Sequence, residues 1–172
     1  MDTLGIAIAE YANVAERRVE RLVNPQLSGL PGFLTPVEGI NDGFMVAQYA
    51  AAALVSENKV LAHPACVDSI PTSANQEDHV SMGTIASRKA ATIISHVQMV
   101  LAIELLCAAQ AADFKDSNKL GKGSKAAYDM VRSEVTFMDK DRAIYLDMNK
   151  VAAMIRSGKI VDAVEQAVGE LK

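Results

Sequence analysis

The stretch VSMGTIASRKAATIISHVQMVLAIELLCAAQAA, residues 80–112, is the longest helical pattern in this sequence. It contains no proline, and apolar residues recur along it every three or four positions, as Ile85, Ile93, Val97 and Val100 do. About thirty helical residues make a rod of roughly 45 Å, at ~1.5 Å per residue. We therefore predict one long central helix over about 80–112, with the rest of the chain packed around it.

Two shorter helices are predicted before this rod. An apolar stripe predicts the first from Leu4 to Asn24, just before a proline, with Asp2 or Thr3 as its cap. An alanine-rich segment predicts the second; it runs from Gly43 to about Leu61 with Asp42 as its cap. Its small side chains permit a close approach of neighbouring helices.

Between these two helices, residues 24–42 show no clear period. The segment carries three prolines and three glycines together with apolar residues such as Phe33 and Leu34. Loops this long are uncommon in compact domains and usually line a site or an interface. We predict that this segment is pinned against the fold.

Three helices are predicted after the rod: one from Ser124 to about Val135, a short one capped by Asp147 and closed by Gly158, and a last one over residues 160–171. No segment indicates a strand. The predicted fold is all-α, a single helical domain over residues 1–172 in which long antiparallel helices form a bundle.

Composition excludes several classes of function. The net charge is −4 without a basic stripe, which argues against nucleic acid as a partner. No apolar run approaches the ~20 residues of a membrane span, and the N-terminus lacks the basic start of a signal peptide. Cys66 and Cys107 are predicted to be free buried thiols. We expect a cytoplasmic protein.

The densest polar run, residues 68–83, leads directly into the rod. Capping and the helix dipole account for an acidic pair such as Glu77 and Asp78, and fit Asp78 well. They do not explain why Ser73, Asn75 and Gln76 crowd into the same few residues. A functional loop and a plain helix start both remain open from spacing alone.

Metal binding is not predicted. His63, Cys66, Asp68 and His79 match no compact zinc spacing. His96 lies among apolar residues of the rod and is interpreted as a hydrogen-bonded core histidine.

The run VDSIPTSANQEDHVSMG, residues 67–83, resembles the signature of histidine ammonia-lyases. Four more segments resemble the same family: ERRVERLVNP at 16–25, SGLP at 28–31, GFM at 43–45 and SENK at 56–59. The resemblance covers nearly the whole chain and is most specific up to about Phe114.

This resemblance implies conversion of L-histidine to trans-urocanate and ammonia, the first step of histidine degradation. It implies Glu77 as a catalytic residue, with Gln76 and Glu77 contacting the substrate. Relatives acting on phenylalanine or tyrosine carry glutamine at the position of Glu77. A carboxylate can accept a hydrogen bond from an imidazole N–H, whereas a hydrophobic aryl ring offers no such donor, so Glu77 indicates histidine.

The family's electrophile, a methylidene-imidazolone ring, is made from an internal Ala-Ser-Gly, which this sequence lacks. The chain therefore resembles the C-terminal part of such an enzyme, inactive alone, contributing Glu77 and an interface of a homo-dimer or homo-tetramer. Two alternatives stay open. The chain is one subunit of a split ammonia-lyase, or it is a non-catalytic helical oligomerisation scaffold.

Overall fold

Helices account for all the regular structure over residues 1–171, the part of the chain that the computed structural model describes, and no strand occurs there. The seven α-helices are α1 (Asp2–Val23), α2 (Pro25–Ser28), α3 (Met45–Leu61), α4 (Gly83–Asp113), α5 (Lys122–Glu134), α6 (Ile144–Ser157) and α7 (Lys159–Val168). The predicted all-α class and the long central helix, here α4 with 31 residues, are confirmed.

Helix α4 packs against α1, α3, α5 and α6. Arg18 of α1 donates to Glu104 of α4 (Nη2–Oε2, 2.9 Å), and Gly5 of α1 lies beside Ile93. These two helices therefore run in the same direction. Helix α3 returns antiparallel to both.

Small side chains let these helices approach closely. Fully or almost fully buried alanines occur on all three: Ala12 and Ala15 on α1, Ala47 and Ala51 on α3, Ala90 and Ala102 on α4. A Cβ added at Gly5 would lie 3.2 Å from Cδ1 of Ile93, a tighter contact than ordinary packing allows. The alanine-rich pattern thus predicted the packing correctly.

Residues 1–171 contain one helix, α4, with the length and composition of a membrane span; its mean hydropathy is 1.7 over the most apolar window. The core helix of a globular fold meets the same criterion, and α4 is the core helix here. Among its large apolar side chains, Ile85 is exposed, whereas Ile93, Val100, Ile103 and Leu106 are buried within the chain. Other apolar side chains of α4, among them Ile94, Leu101 and Leu105, are only half-buried, so the chain's own helices cover this helix in part.

Several predicted caps were wrong. Helix α4 begins at Gly83 with Met82 as its cap residue, without a side-chain cap, so Asp78 does not cap it. Helix α3 begins at Met45, and Asp42 does not cap it with its side chain.

In the C-terminal helices, Ser124 lies inside α5. Asp147 lies inside α6, where it is buried and pairs with Arg142 (Nε–Oδ2, 2.8 Å). Gly158 closes α6 in the left-handed conformation, φ +79°, as predicted.

The segment of residues 24–42 is pinned, as predicted. Gln110 of α4 donates from Nε2 to the carbonyl oxygen of Leu34 (3.1 Å). The Asp141 carboxylate accepts from the backbone N–H groups of Asp42 (2.7 Å) and Gly43 (2.9 Å). Gly43 has φ +57°, and a Cβ there would collide with the carbonyl oxygen of Phe33, so this close approach requires glycine.

Candidate functional site

The polar loop joins α3 to α4 and is closed at two levels. At its base, the Val80 N–H donates to the Ser69 hydroxyl (2.9 Å). At its tip, Thr72 and Glu77 pair through their backbones, with N–O distances of 2.9 Å and 3.4 Å. The loop is therefore closed by its own hydrogen bonds and has a defined structure.

Between Thr72 and Glu77 the backbone turns through an unusual conformation. Ser73, Ala74 and Asn75 all have positive φ, at 51°, 53° and 67°. For non-glycine residues this left-handed region costs roughly 1–2 kcal/mol each. Strained residues of this kind persist only where the surrounding structure holds them in place. Here the strained turn brings Glu77 back beside Thr72.

Glu77 is exposed, and its carboxylate is nonetheless held. Its Oε2 accepts a hydrogen bond from the Thr72 hydroxyl (3.2 Å). Hydrogen bonds from the Ser73 and Thr72 hydroxyls lower the pKa of Glu77, because they favour the charged form. An ionised, oriented carboxylate thus stands at the tip, with Gln76 exposed next to it.

Two contacts anchor the start of the loop to other helices. The Asp2 carboxylate accepts from the N–H groups of Ala65 (3.0 Å) and Cys66 (3.1 Å). These hydrogen bonds, led by that of Ala65, lower the pKa of Asp2. The Lys89 ammonium donates to the carbonyl oxygen of His63. Asp2 was predicted as one of two possible caps of α1, but it lies in the first turn of that helix and accepts from Ala65 instead. The sequence gives no local sign of this contact, because the two residues are 63 positions apart.

The loop also borders a cleft of about 380 Å³ beside the start of α4. Asp68 and His79, with Cys66 and Asp2, line this cleft, whereas His63 does not belong to its lining. Over residues 1–171, no group of three or more His, Cys, Asp or Glu side chains is arranged to hold a metal ion.

The two cysteines differ. Cys107 is buried in α4, and burial raises the pKa of its thiol. Cys66 is exposed, so the prediction of a buried thiol was wrong there; it lies in a short 3₁₀ turn that follows Pro64, outside the α-helices. His96 is hydrogen-bonded as predicted, with Nδ1 at 2.9 Å from Oδ1 of the buried Asn58.

Comparison with known families decides the relationship. The model of the family described as aromatic amino acid lyase matches residues 1–133. The chain belongs to the aromatic amino acid lyase family. The sequence motif at residues 67–83 had indicated this relationship, and the exposed Glu77 loop is the part of the fold that carries the motif.

Sequence relatives of this aromatic amino acid lyase chain include two proteins named as histidine ammonia-lyases. The enzyme of Alkaliphilus metalliredigens is 62% identical over 170 residues, covering 99% of this chain and 34% of its own length. Histidine ammonia-lyase 2 of Fusobacterium nucleatum is 64% identical over 173 residues, covering 100% and 34%. The chain thus spans about a third of the length of the curated relatives it matches.

Solved structures give the same relationship. Histidine ammonia-lyase from Trypanosoma cruzi matches with a TM-score of 0.93 and 46% identity, over 98% of this chain and 33% of that one. Tyrosine aminomutase from Streptomyces globisporus matches with a TM-score of 0.95 and 37% identity, over 99% and 33%. Because these matches extend past residue 133, α6 and α7 belong to the shared fold as well.

Proposed function

We propose that this chain is the C-terminal helical region of a histidine ammonia-lyase, a carbon–nitrogen lyase that converts L-histidine to trans-urocanate and ammonia. The observation that carries the proposal is the ionised Glu77 carboxylate, held at the exposed tip of the loop. The names of the sequence relatives at 62% and 64% identity support it.

Glu77 suits an imidazole substrate. An ionised carboxylate only accepts hydrogen bonds, and the imidazole ring of histidine offers an N–H donor. In this proposal Glu77 anchors the imidazole, acts as a base, or does both, and Gln76 adds a substrate contact beside it. With its pKa lowered, Glu77 is charged at neutral pH, and this is the form that accepts a hydrogen bond from an imidazole N–H.

The rest of the site is proposed to come from polypeptide other than this chain. In the family, the methylidene-imidazolone ring supplies the electrophile that activates the amino acid. This sequence contains no Ala-Ser-Gly, so its residues do not fit as the source of that ring. Glu77 stands exposed rather than in a closed pocket, which suits a carboxylate that completes a site formed with other segments.

Self-association belongs to the same proposal. The chain leaves apolar side chains uncovered on α1 and α3, where Tyr11 is 67% exposed, Tyr49 69% and Val60 68%. Exposed apolar patches on folded proteins mark interfaces. We propose a cytoplasmic homo-oligomer, a dimer or tetramer, assembled through these helices, with L-histidine rather than nucleic acid or a membrane as its partner.

A chimera tests the proposal. The 172 residues replace the matching third of the Alkaliphilus metalliredigens enzyme, and urocanate formation from L-histidine is followed by absorbance. We expect the chimera to turn over histidine and the chain alone to form no urocanate. Turnover by the purified chain alone, or a chimera that fails to assemble or assembles without turnover, would contradict the proposal.

The two alternatives predict different outcomes. A subunit of a split enzyme regains turnover when the chain is mixed with the separately expressed remainder of the relative. A non-catalytic scaffold assembles with that remainder and stays inactive, as does the chimera.

A further inference from the structure

Three hydrogen bonds join Glu77 to Thr72. Two join the backbones of Thr72 and Glu77, and the third joins the Thr72 hydroxyl to Oε2 of Glu77 at 3.2 Å. The backbone pair fixes the distance between the two residues. The Thr72 hydroxyl and the Glu77 carboxylate are therefore held within hydrogen-bonding distance. The strained turn over residues 73–75 is what brings them opposite each other.

A glutamate on an exposed loop would otherwise be free to rotate. Its three side-chain torsions lose freedom when it binds a substrate, and that loss weakens binding unless the protein has already restricted them. The Thr72 hydroxyl restricts them in advance. It donates its proton to Oε2, and because a carboxylate can accept several hydrogen bonds, the group can still accept one from a ligand.

We propose that Thr72 is a positioning residue for Glu77: its hydroxyl holds Oε2 and so orients the carboxylate that accepts a hydrogen bond from the imidazole N–H of the substrate. This inference rests on the proposed function. Thr72 touches the carboxylate and not the reacting atoms, so it acts through Glu77.

A threonine to valine exchange removes the hydroxyl and keeps the shape of the side chain. We expect Thr72→Val in the active chimera to lower kcat/KM for histidine about tenfold, the effect of losing one hydrogen bond to a charged group. Thr72→Ser keeps a hydroxyl and should restore most of that loss. The matched control is Thr92→Val on α4, where the exposed hydroxyl donates to the carbonyl oxygen of Arg88 and the activity should stay unchanged.

The pKa of Glu77 provides a second measurement, which would not change if Thr72 only stabilised the loop. The two hydroxyls, led by that of Ser73, lower the pKa of Glu77, so removing the Thr72 hydroxyl should raise it part of the way to its ordinary value. Carbon-13 NMR of the Glu77 carboxyl in the chain itself measures this shift. In the chimera, the decline of kcat/KM on acidification should begin at a higher pH in Thr72→Val, because Glu77 is then protonated sooner.

The outcomes separate this inference from the proposed function. An active chimera that loses activity in Glu77→Gln but not in Thr72→Val would overturn the role of Thr72 and leave the function intact. An inactive wild-type chimera would overturn the function, while the NMR titration still decides whether Thr72 holds Glu77. An unchanged Glu77 titration in Thr72→Val, or equal impairment of Thr72→Val and Thr72→Ser, would also overturn the inference.

Discussion

The two ends of α4 use polar side chains in opposite ways. Near its C-terminus, Gln110 is completely buried and saturated: it donates to the carbonyl oxygens of Leu34 (3.1 Å) and Met138 (2.9 Å) and accepts from the Met138 N–H (3.1 Å). Just before its N-terminus, Glu77 is exposed and held at one oxygen by Thr72.

A second polar group reinforces the buried end. Asp113 accepts hydrogen bonds from the Tyr128 hydroxyl (2.5 Å) and from the Arg132 guanidinium, which also donates to the carbonyl oxygen of Val135 (3.0 Å). These contacts tie α4 to α5 and to the segment after it. Buried polar groups that find hydrogen-bond partners stabilise a fold, whereas an exposed, oriented carboxylate is available for a ligand. We therefore expect the buried end to contribute to stability and the proposed function to depend on the exposed end.

The largest effect that this comparison predicts is on turnover at the exposed end. Glu77→Gln in the active chimera should lower turnover of histidine about a hundredfold or more, because the charge facing the substrate is lost. Its free energy of unfolding should change by less than about 0.5 kcal/mol, since the side chain is exposed. Urocanate absorbance measures the turnover, and urea unfolding measures the free energy of unfolding. Near-normal turnover would break the comparison and reduce Glu77 to a loop-closing residue.

At the buried end the effect should fall on stability instead. Gln110→Ala leaves two carbonyl groups and one N–H without partners, each buried group costing about 1–3 kcal/mol. We expect a loss of about 3 kcal/mol or more, measured by urea unfolding. The control is Gln98→Ala, at a half-buried position on the same helix, and it should lower the free energy of unfolding far less. Equal losses from both variants would mean that the Gln110 contacts contribute little.

Changes on the exposed surface of α1 and α3 should affect self-association, rather than turnover or stability. A double variant, Tyr11→Lys and Tyr49→Lys, places charges on exposed positions of α1 and α3 and should weaken the oligomer of the chain without unfolding it. Sedimentation at micromolar concentration measures the change, and circular dichroism checks the fold. A wild-type chain that sediments as a stable monomer would contradict the proposed interface.

The smallest predicted effect concerns the anchor of the loop. The pKa of Asp2 is lowered in the folded chain, so its contribution is present above the ordinary aspartate value and is lost as the pH falls through the lowered value. Asp2→Asn should speed hydrogen exchange of the Ala65 and Cys66 amides at neutral pH. Below the lowered value the variant and the wild type should exchange alike. A difference that persists in acid would show that the charge of Asp2 is not what holds the loop.

Helix type and core composition could be predicted from the sequence because they follow local rules. The apolar period gave α4 to within a few residues, and the alanine-rich pattern gave the close packing of α3. The caps at Asp78, Ser124 and Asp147 were wrong because capping residues also occur inside helices and in loops. Nothing in the spacing distinguishes these settings.

The candidate site divides in the same way. Residue types alone, through the motif at 67–83, singled out Glu77 and Gln76 and indicated the family. They gave no sign that Thr72 would meet Glu77, since this depends on three consecutive residues adopting positive φ. Likewise Asp2, 63 residues from Ala65, and Asp141, 99 residues from Asp42, become anchors only in the folded chain.

The sequence by itself determined the all-α class, the central helix and the family, because apolar periodicity and a specific motif are properties of neighbouring residues. Only the tertiary structure decided which polar groups are buried and which are exposed, since Gln110, within α4, and Glu77, just before it, are both polar residues. The physical reason is that hydrogen-bond partners far apart in the chain are chosen by packing. No local pattern records that choice.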